Sequence, residues 1–323
     1  MTLALVHRGD AEHGVDRLAR TVAASAAVRA SGAVLALPHE VVDGARAHVH
    51  FTDRLWGASP EASADAIEAL AARATLTVTL HDLPQASDGA RSMERRADAY
   101  RRVVRAAAAV VCTSDYERGL LARVVGVDGA AACAIVPLPC ERASDAAEPV
   151  PLRREVGVLG FFYPGKGHAE AVAASAALPA PLPVVAIGRA APGHEAELAE
   201  LATHARDVGV ECTSTGFLDE EALVARMRST LVPVVAHRHV SASGSLASWI
   251  GAGRRPIVVR NAYFEEMAAL RPGTTWLVDD DELPHAIAIA AADPASTHLG
   301  ADASVRPDLD DVAAAYLALW GSA

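Results

Sequence analysis

The sequence predicts an α/β protein made of two doubly wound parallel sheets. Three observations carry that prediction. Short apolar runs alternate with helix-period stretches along most of the chain. The alternation breaks once, at a polar, proline-bearing segment, and then restarts. A chain of 323 residues is too long for one small domain and suits two of about 150 residues each. Apolar residues make up 51% and charged residues 21%, so both halves can bury a core and disorder is not expected.

In the first half, strands are expected at Leu3–His7, Val34–Leu37, His48–Phe51, Leu76–Leu80, Ala108–Thr113 and Ala134–Pro137. Helical periods fall between them at Gly14–Ser31, Ser63–Arg73, Ser92–Ala107 and Tyr116–Val125. Near-continuous apolar strands of this kind belong to parallel sheets covered on both faces. The segment Pro139–Pro151 carries three prolines among polar residues and reads as a linker. Strands are then expected at Val156–Phe161, Val184–Gly188, Glu211–Thr215, Leu231–Val235, Pro256–Val259 and Thr275–Val278. The helices between them are His168–Ala177, Glu195–Asp207, Glu220–Ser229 and Ser245–Ala252, and Asp310–Trp320 ends the chain as a separate helix. The expected domains are 1–145, 146–309 and a C-terminal helix, 310–323, packing back on the first. Two such halves would face each other across a cleft, with ligands at the carboxyl ends of the strands.

The formal net charge of −11 argues against a general nucleic-acid binder, which needs a basic field. Of the 29 basic residues 28 are arginine; Lys166 is the one lysine. A lysine that persists in so arginine-biased a chain suggests a position where arginine does not serve. The N-terminus lacks a signal-peptide pattern, and no apolar run of about 18 residues is free of charge, so a cytoplasmic protein is expected. Cys112, Cys133, Cys140 and Cys212 have no CxxC spacing and read as buried free thiols.

Neither half has GxGxxG after its first strand, which weakens a dinucleotide reading. Gly160-Phe-Phe-Tyr-Pro-Gly-Lys166 has the spacing of a Walker A loop, but Gly167 stands where Ser or Thr would hold magnesium. A P-loop hydrolase is therefore a minor rival.

The order of several segments resembles the retaining glycosyltransferases of family 4, which have the GT-B fold. The segments are Gly160-FFYPGKGH, Val184-VAIGR, Thr215-GFLDEEAL, Leu231-VPVVAHRHVSASGS, Trp249-IGAGRRPIVV and Thr275-WLVDDDEL, with Thr77-VTLHDLP and Val111-CTSDYERGLL in the first half. The resemblance implies sugar transfer from a nucleoside-diphosphate sugar to an acceptor, small-molecule, glycan or lipid-linked. It implies retention of configuration, no metal and no cofactor.

It also implies roles that the residue chemistry can be weighed against. Lys166 ends a glycine-rich turn before a helix, where an ammonium and free N–H groups converge on a diphosphate. Ser243, Gly244 and Ser245 open a helix and would hold the distal phosphate of the leaving group; an ordinary serine cap is the alternative. Gly9 and Gly14 flank the first strand-to-helix turn and allow close backbone approach to donor phosphate. His81 stands at a strand's carboxyl edge, near the transferred sugar, and is a catalytic candidate with Lys166. Asp82 contacts sugar or acceptor, or braces the loop. Gly188, Arg189 and Ser248 fall on the nucleotide and ribose side, and Arg238, His239 and Ser241 on the sugar or acceptor side. One departure stands out. The family's Glu, seven residues, then Glu falls here near Val240 or Ser241 and at Ser248, none acidic. Ser248 offers a single hydroxyl in place of a bidentate carboxylate. A non-catalytic homologue that binds a sugar nucleotide or a protein partner is thus the second reading.

If the strand Leu231–Val235 runs on through His237-Arg-His239, the two histidines share a face, although no nearby set completes a zinc site. Asp279-Asp-Asp281 invites a metal-binding DxD reading, but acidic residues just before a helix complement its N-terminus, and the metal reading is rejected. On the helix Ser92–Ala107, Arg91, Arg95, Arg101, Arg102 and Arg105 gather opposite Met93, Tyr100 and Val104. That basic side is either a solvated face or a landing patch for anionic lipid or a phosphorylated acceptor, which would give peripheral membrane contact.

Overall fold

The computed structural model describes residues 3–10, 12–142, 150–300 and 302–322. The chain divides into two compact units, 1–139 with 307–323, and 140–306. The middle of the expected linker, 143–149, and with it the expected 145/146 boundary, lies outside the described residues.

The first unit runs β1 (Leu3–Val6), α1 (Gly14–Ala24), α2 (Ala26–Ala30), β2 (Val34–Ala36), β3 (Arg46–Phe51), α3 (Asp53–Trp56), α4 (Pro60–Ala71), β4 (Thr75–Leu80), α5 (Ala90–Ala106), β5 (Ala109–Cys112), α6 (Asp115–Val125), α7 (Val127–Ala131) and β6 (Ala134–Ile135). Its six strands are all parallel, in the order β2-β1-β3-β4-β5-β6. One face buries Val49, Phe51, Ile67, Leu76, Val78, Leu80 and Val103. On the other, Leu5, Val22, Val28 and Val111 pack with Val312, Tyr316 and Trp320 of the C-terminal helix.

The second unit runs β7 (Arg153–Leu159), α8 (His168–Ala176), β8 (Val184–Ile187), α9 (Glu195–Asp207), β9 (Cys212–Ser214), α10 (Glu220–Ser229), β10 (Thr230–Val235), α11 (Gly244–Gly251), β11 (Ile257–Val259), α12 (Ala262–Leu270), β12 (Trp276–Val278) and α13 (Leu283–Ala292). Then α14 (Leu309–Ser322) returns to the first unit. The second sheet, β12-β11-β10-β7-β8-β9, is also wholly parallel. Its central strand β10 is buried at every position, as a strand covered on both faces must be.

Three expectations are corrected. The helix expected over Gly14–Ser31 is two helices. Ser25 takes an extended conformation between them; its Oγ donates to Val22 O (2.8 Å) and accepts from Val28 N (3.4 Å), ending one helix and opening the next. The strand before His237 ends at Val235, so His237 and His239 do not share a strand face: His237 is buried and His239 exposed. The helices Asp53–Trp56 and Ala262–Leu270 were not expected. The four cysteines are free and buried. Among the described residues no helix is long and apolar enough to cross a membrane.

Candidate functional site

Counted within its own unit, the second sheet has the order 3-2-1-4-5-6, which reverses direction between β7 and β10. In such sheets ligands meet the carboxyl ends of the strands at that reversal. Two loops leave there, β7 to α8 and β10 to α11. The first carries Lys166; the second carries His237 and Ser243 and leads into Ser245 in the first turn of α11.

Backbone geometry sets the first loop. Gly160 N donates to Ile187 O (2.9 Å) and Phe162 N to Arg189 O (2.9 Å), so the β7–β8 pairing extends past the strand ends. Lys166 N then closes a turn on Tyr163 O (3.1 Å). Gly167 sits at φ +102°, and a Cβ there would lie 2.8 Å from the Ala236 carbonyl. Only glycine lets the chain turn into α8 against the end of β10. Gly188 is as tightly held: a Cβ would meet Gly160 O at 2.4 Å.

The turn delivers the Lys166 ammonium to Ser245. Nζ donates to Ser245 Oγ over a long 3.4 Å. The same hydroxyl lies 3.1 Å from Ser243 Oγ and 3.5 Å from His237 Nε2. Ser243 caps α11 by accepting from Leu246 N (3.2 Å), while its own N donates to Tyr263 OH (3.0 Å). The α8 N-terminus has no side-chain cap, which leaves its first N–H groups to another acceptor. Among the described residues no carboxylate pairs with Lys166. Burial pulls its ammonium down to about 8. Burial also keeps His237 neutral, well below its usual range, and Lys166 adds to that. His168, at the start of α8, is lowered to about 3 for the same two reasons, and neither ring nitrogen has a hydrogen-bond partner among the described residues. The chemistry is cationic and rich in donors, and suits an anion.

The other expected residues of this unit lie around this cluster with different engagements. Ser248 is exposed, and its Oγ donates to Gly244 O (2.9 Å) within α11. Arg238 is exposed and pairs with Glu170, while its N donates to Gly165 O (2.9 Å). Arg189 is exposed, its guanidinium 5.5 Å from the Phe161 ring centre. Ser241 is buried and His239 exposed. Asp279 receives Arg260 Nε (2.8 Å), and its N donates to Glu282 Oε2 (2.9 Å) at a short helical turn. His237 was passed over in the sequence in favour of its neighbours; the end of β10 at Val235 turns it inward.

In the first unit the sheet order reverses between β1 and β3. Gly9, at φ +83°, follows β1, and its N donates to His7 Nδ1 (3.1 Å). Gly14 is the first residue of α1. Buried Asp16 braces the turn by accepting from Arg8 N (2.6 Å) and Arg20 Nε (3.1 Å). His81 follows β4, and its N donates to Phe51 O (2.8 Å). Asp82 is the one non-glycine residue with positive φ, +51°, among the described residues. This strained conformation is clamped by Arg96, which donates to Asp82 O and Oδ2, and by Tyr100, whose OH donates to the carbonyls of His81 and Asp82. Arg96 is itself buried and also binds Asp53 and Asp88.

The basic side of α5 is largely neutralised. Arg95 makes a bidentate pair with Glu61 (2.7 Å twice), and Arg102 reaches Glu68 and Asp65. Arg101 pairs with Asp98, and Arg91 and Arg105 are exposed. Among the described residues no group of three His, Cys, Asp or Glu side chains is placed to hold a metal ion.

No protein-family model matches the sequence, and no curated protein matches it. Solved structures do match by fold. HepE of Anabaena, in complex with UDP and glucose, superposes with a TM-score of 0.74 at 14% identity over 100% of both chains. Sucrose-phosphate synthase of Thermosynechococcus elongatus gives 0.73 at 17% identity, over 100% of this chain and 98% of that one. The UDP-forming α,α-trehalose-phosphate synthase of Burkholderia vietnamiensis gives 0.61 at 12% identity, over 88% and 76%. These neighbours are GT-B glycosyltransferases. Two parallel six-stranded α/β sheets, matched over the full chain, give this protein the GT-B fold.

Proposed function

We propose that the protein is a glycosyltransferase that moves a hexosyl group from a nucleoside-diphosphate sugar to an acceptor hydroxyl, with retention and without a metal, as family-4 enzymes do. The observation that carries this reading is the Lys166–Ser245 cluster. It is an ammonium without a carboxylate, set among two hydroxyls and two helix N-termini at the reversal of a doubly wound sheet. Neighbours of the same fold were solved with UDP and with UDP-glucose, which favours a uridine nucleotide as the first probe.

In this mechanism the bond between the anomeric carbon and the diphosphate oxygen breaks, and the acceptor oxygen bonds to that carbon from the same face. The acceptor's proton passes to the departing diphosphate. Lys166, Ser243, Ser245 and the N–H groups of α8 and α11 stabilise the charge that develops there. Gly188, Arg189 and Ser248 serve the nucleotide, and His81, Asp82, Arg238, His239 and Ser241 the sugar or acceptor, with Gly9 and Gly14 flanking a phosphate-side loop. The acceptor is a small molecule, a glycan or a lipid-linked sugar; the exposed Arg91 and Arg105 would touch an anionic membrane in the last case.

Calorimetric binding of UDP and of uridine tests the reading. Lys166→Ala is expected to weaken UDP by about tenfold to a hundredfold, the worth of a charged hydrogen bond, and to leave uridine unchanged. Equal losses for both would remove Lys166 from the phosphate site. A second reading, a non-catalytic nucleotide-sugar binder, is favoured by the absence of carboxylates at Val240, Ser241 and Ser248. It prevails if UDP-sugars bind but neither hydrolysis nor transfer follows with any acceptor.

A further inference from the structure

His50 lies in β3 and is in direct contact with His81. Its Nδ1 lies 2.9 Å from His81 Nε2, and the rings are nearly parallel, at 23° with centres 5.2 Å apart. His50 is held on its other sides by His48 (5.1 Å, 84°) and Tyr316 (5.7 Å, 69°). Both His50 and His81 are buried, and desolvation holds both imidazoles neutral. Two neutral rings joined N to N share one proton, so each adopts a single tautomer.

The surroundings decide which. His50 Nε2 is sealed from solvent and has no partner among the described residues. Were His50 the acceptor, its proton would sit on that sealed nitrogen as an orphaned N–H, the rarest kind of buried polar group. With His50 as donor, the sealed atom is a bare lone pair, a commoner defect. His81 then accepts at Nε2 and carries its own proton on Nδ1, which has no protein partner among the described residues.

We propose that His50 is a positioning residue for His81: it donates Nδ1–H to His81 Nε2, so that His81 meets a ligand through Nδ1–H, as a donor to a sugar hydroxyl or phosphate oxygen and not as a proton acceptor. The ligand class rests on the glycosyltransferase reading; the tautomer does not.

Imidazole ¹⁵N–¹H spectra of the full chain, assigned by loss of signals in His81→Asn, test the tautomer directly. The expected pattern is a protonated Nδ1 and an unprotonated Nε2 on both His50 and His81. A proton on His81 Nε2 in the unmodified protein overturns the proposal, whatever the protein transfers. His50→Phe should release His81 to the other tautomer and lower kcat/KM for UDP-sugar turnover about tenfold, the worth of one hydrogen bond. His50→Gln, which can donate again, should restore both. A tautomer unmoved by His50→Phe also overturns it. Absence of turnover in the unmodified protein counts against the transferase reading alone.

Discussion

Lys166 is half-buried and no carboxylate among the described residues answers its charge; burial holds its ammonium down at about 8 in the free site. A bound diphosphate raises that value again. Ligand affinity therefore depends on the proton. UDP binding should be flat between about pH 7 and 8 and fall about tenfold per pH unit above that, until the bound-state value is reached. The terminal phosphate's own ionisation, about 6 for a phosphate monoester, is complete by then, and the uracil N3–H, which ionises in the same alkaline range, is controlled for by titrating uridine in parallel. Lys166→Arg should bind UDP less tightly at pH 7, because a planar fork replaces a point charge in the same turn. Its affinity should not fall above pH 8, because guanidinium stays charged. Titration calorimetry from pH 7 to 10 reads both effects; a pH-independent affinity in the unmodified protein would show that Lys166 is not the titrating contact. Lys166 was legible from sequence because Gly165-Lys-Gly167 is a local signature. His237 and His50 were not. Their roles arise from where β10 stops and from which strand lies beside β3, and both are facts of tertiary pairing.

At the scale of elements, α5 shows how a helix positions a loop that sequence alone leaves undefined. The helical wheel separates its exposed arginines from its buried face, and the structure keeps that separation for Tyr100 and Val104. It also puts Arg96 on the buried side, 3% exposed, which amphipathicity would not allow for an unpaired charge. Arg96 is permitted there because Asp53 of α3, Asp82 of the β4–α5 loop and Asp88 surround it. These residues are far apart in sequence, so no local pattern announces them. The arrangement holds Asp82 at positive φ and, through the Asp82 carbonyl, the strand end that carries His81. Arg96→Met keeps much of the volume but strands buried Asp53 without its partner. Unfolding in urea should show a loss of about 3–5 kcal/mol, the cost of breaking a buried pair from one side. Amide exchange should rise at His81 and Asp82 well before it rises in β4. A loss below about 1 kcal/mol with unchanged exchange would mean that the clamp does not hold the loop. Ser25 makes the same point more simply: an apolar helical period runs across it, and only its side-chain bonds reveal two helices.

Across the whole molecule, imidazoles are buried as neutral groups in both units. In the first, His48 donates Nδ1–H to Thr77 Oγ1 (2.8 Å), because the Thr77 hydroxyl is itself spent on Ala47 O (3.3 Å). His48 Nε2 therefore accepts from Thr79 Oγ1 (3.1 Å), and that oxygen accepts from Tyr316 OH of α14 (2.9 Å). A hydrogen-bond chain with one direction thus ties the C-terminal helix to β3 and β4, and a proton on His48 Nε2 would break it. Burial lowers His48, His81 and His168 to about 3, and His50 and His237 well below their usual range. The sign follows from where protons bind. The unfolded chain takes them up below about pH 6.5 and the folded chain does not, so the stability from neutral burial is complete above 6.5 and is lost as pH falls toward 3. Each histidine contributes roughly 1.4 kcal/mol of loss per pH unit in that window, so the three of the first unit cost it about 4 and the two of the second about 3 kcal/mol per pH unit, against about 5–15 kcal/mol for an ordinary domain. Because three of the five lie in the first unit and two in the second, both units should lose stability together. Scanning calorimetry between pH 7.5 and 5 is expected to show a melting temperature that is level above about 6.5 and falls steeply below it. His48→Gln, which cannot take up a proton, should start less stable but fall less steeply. A melting temperature level down to pH 5 would show that these rings accept protons inside the folded units.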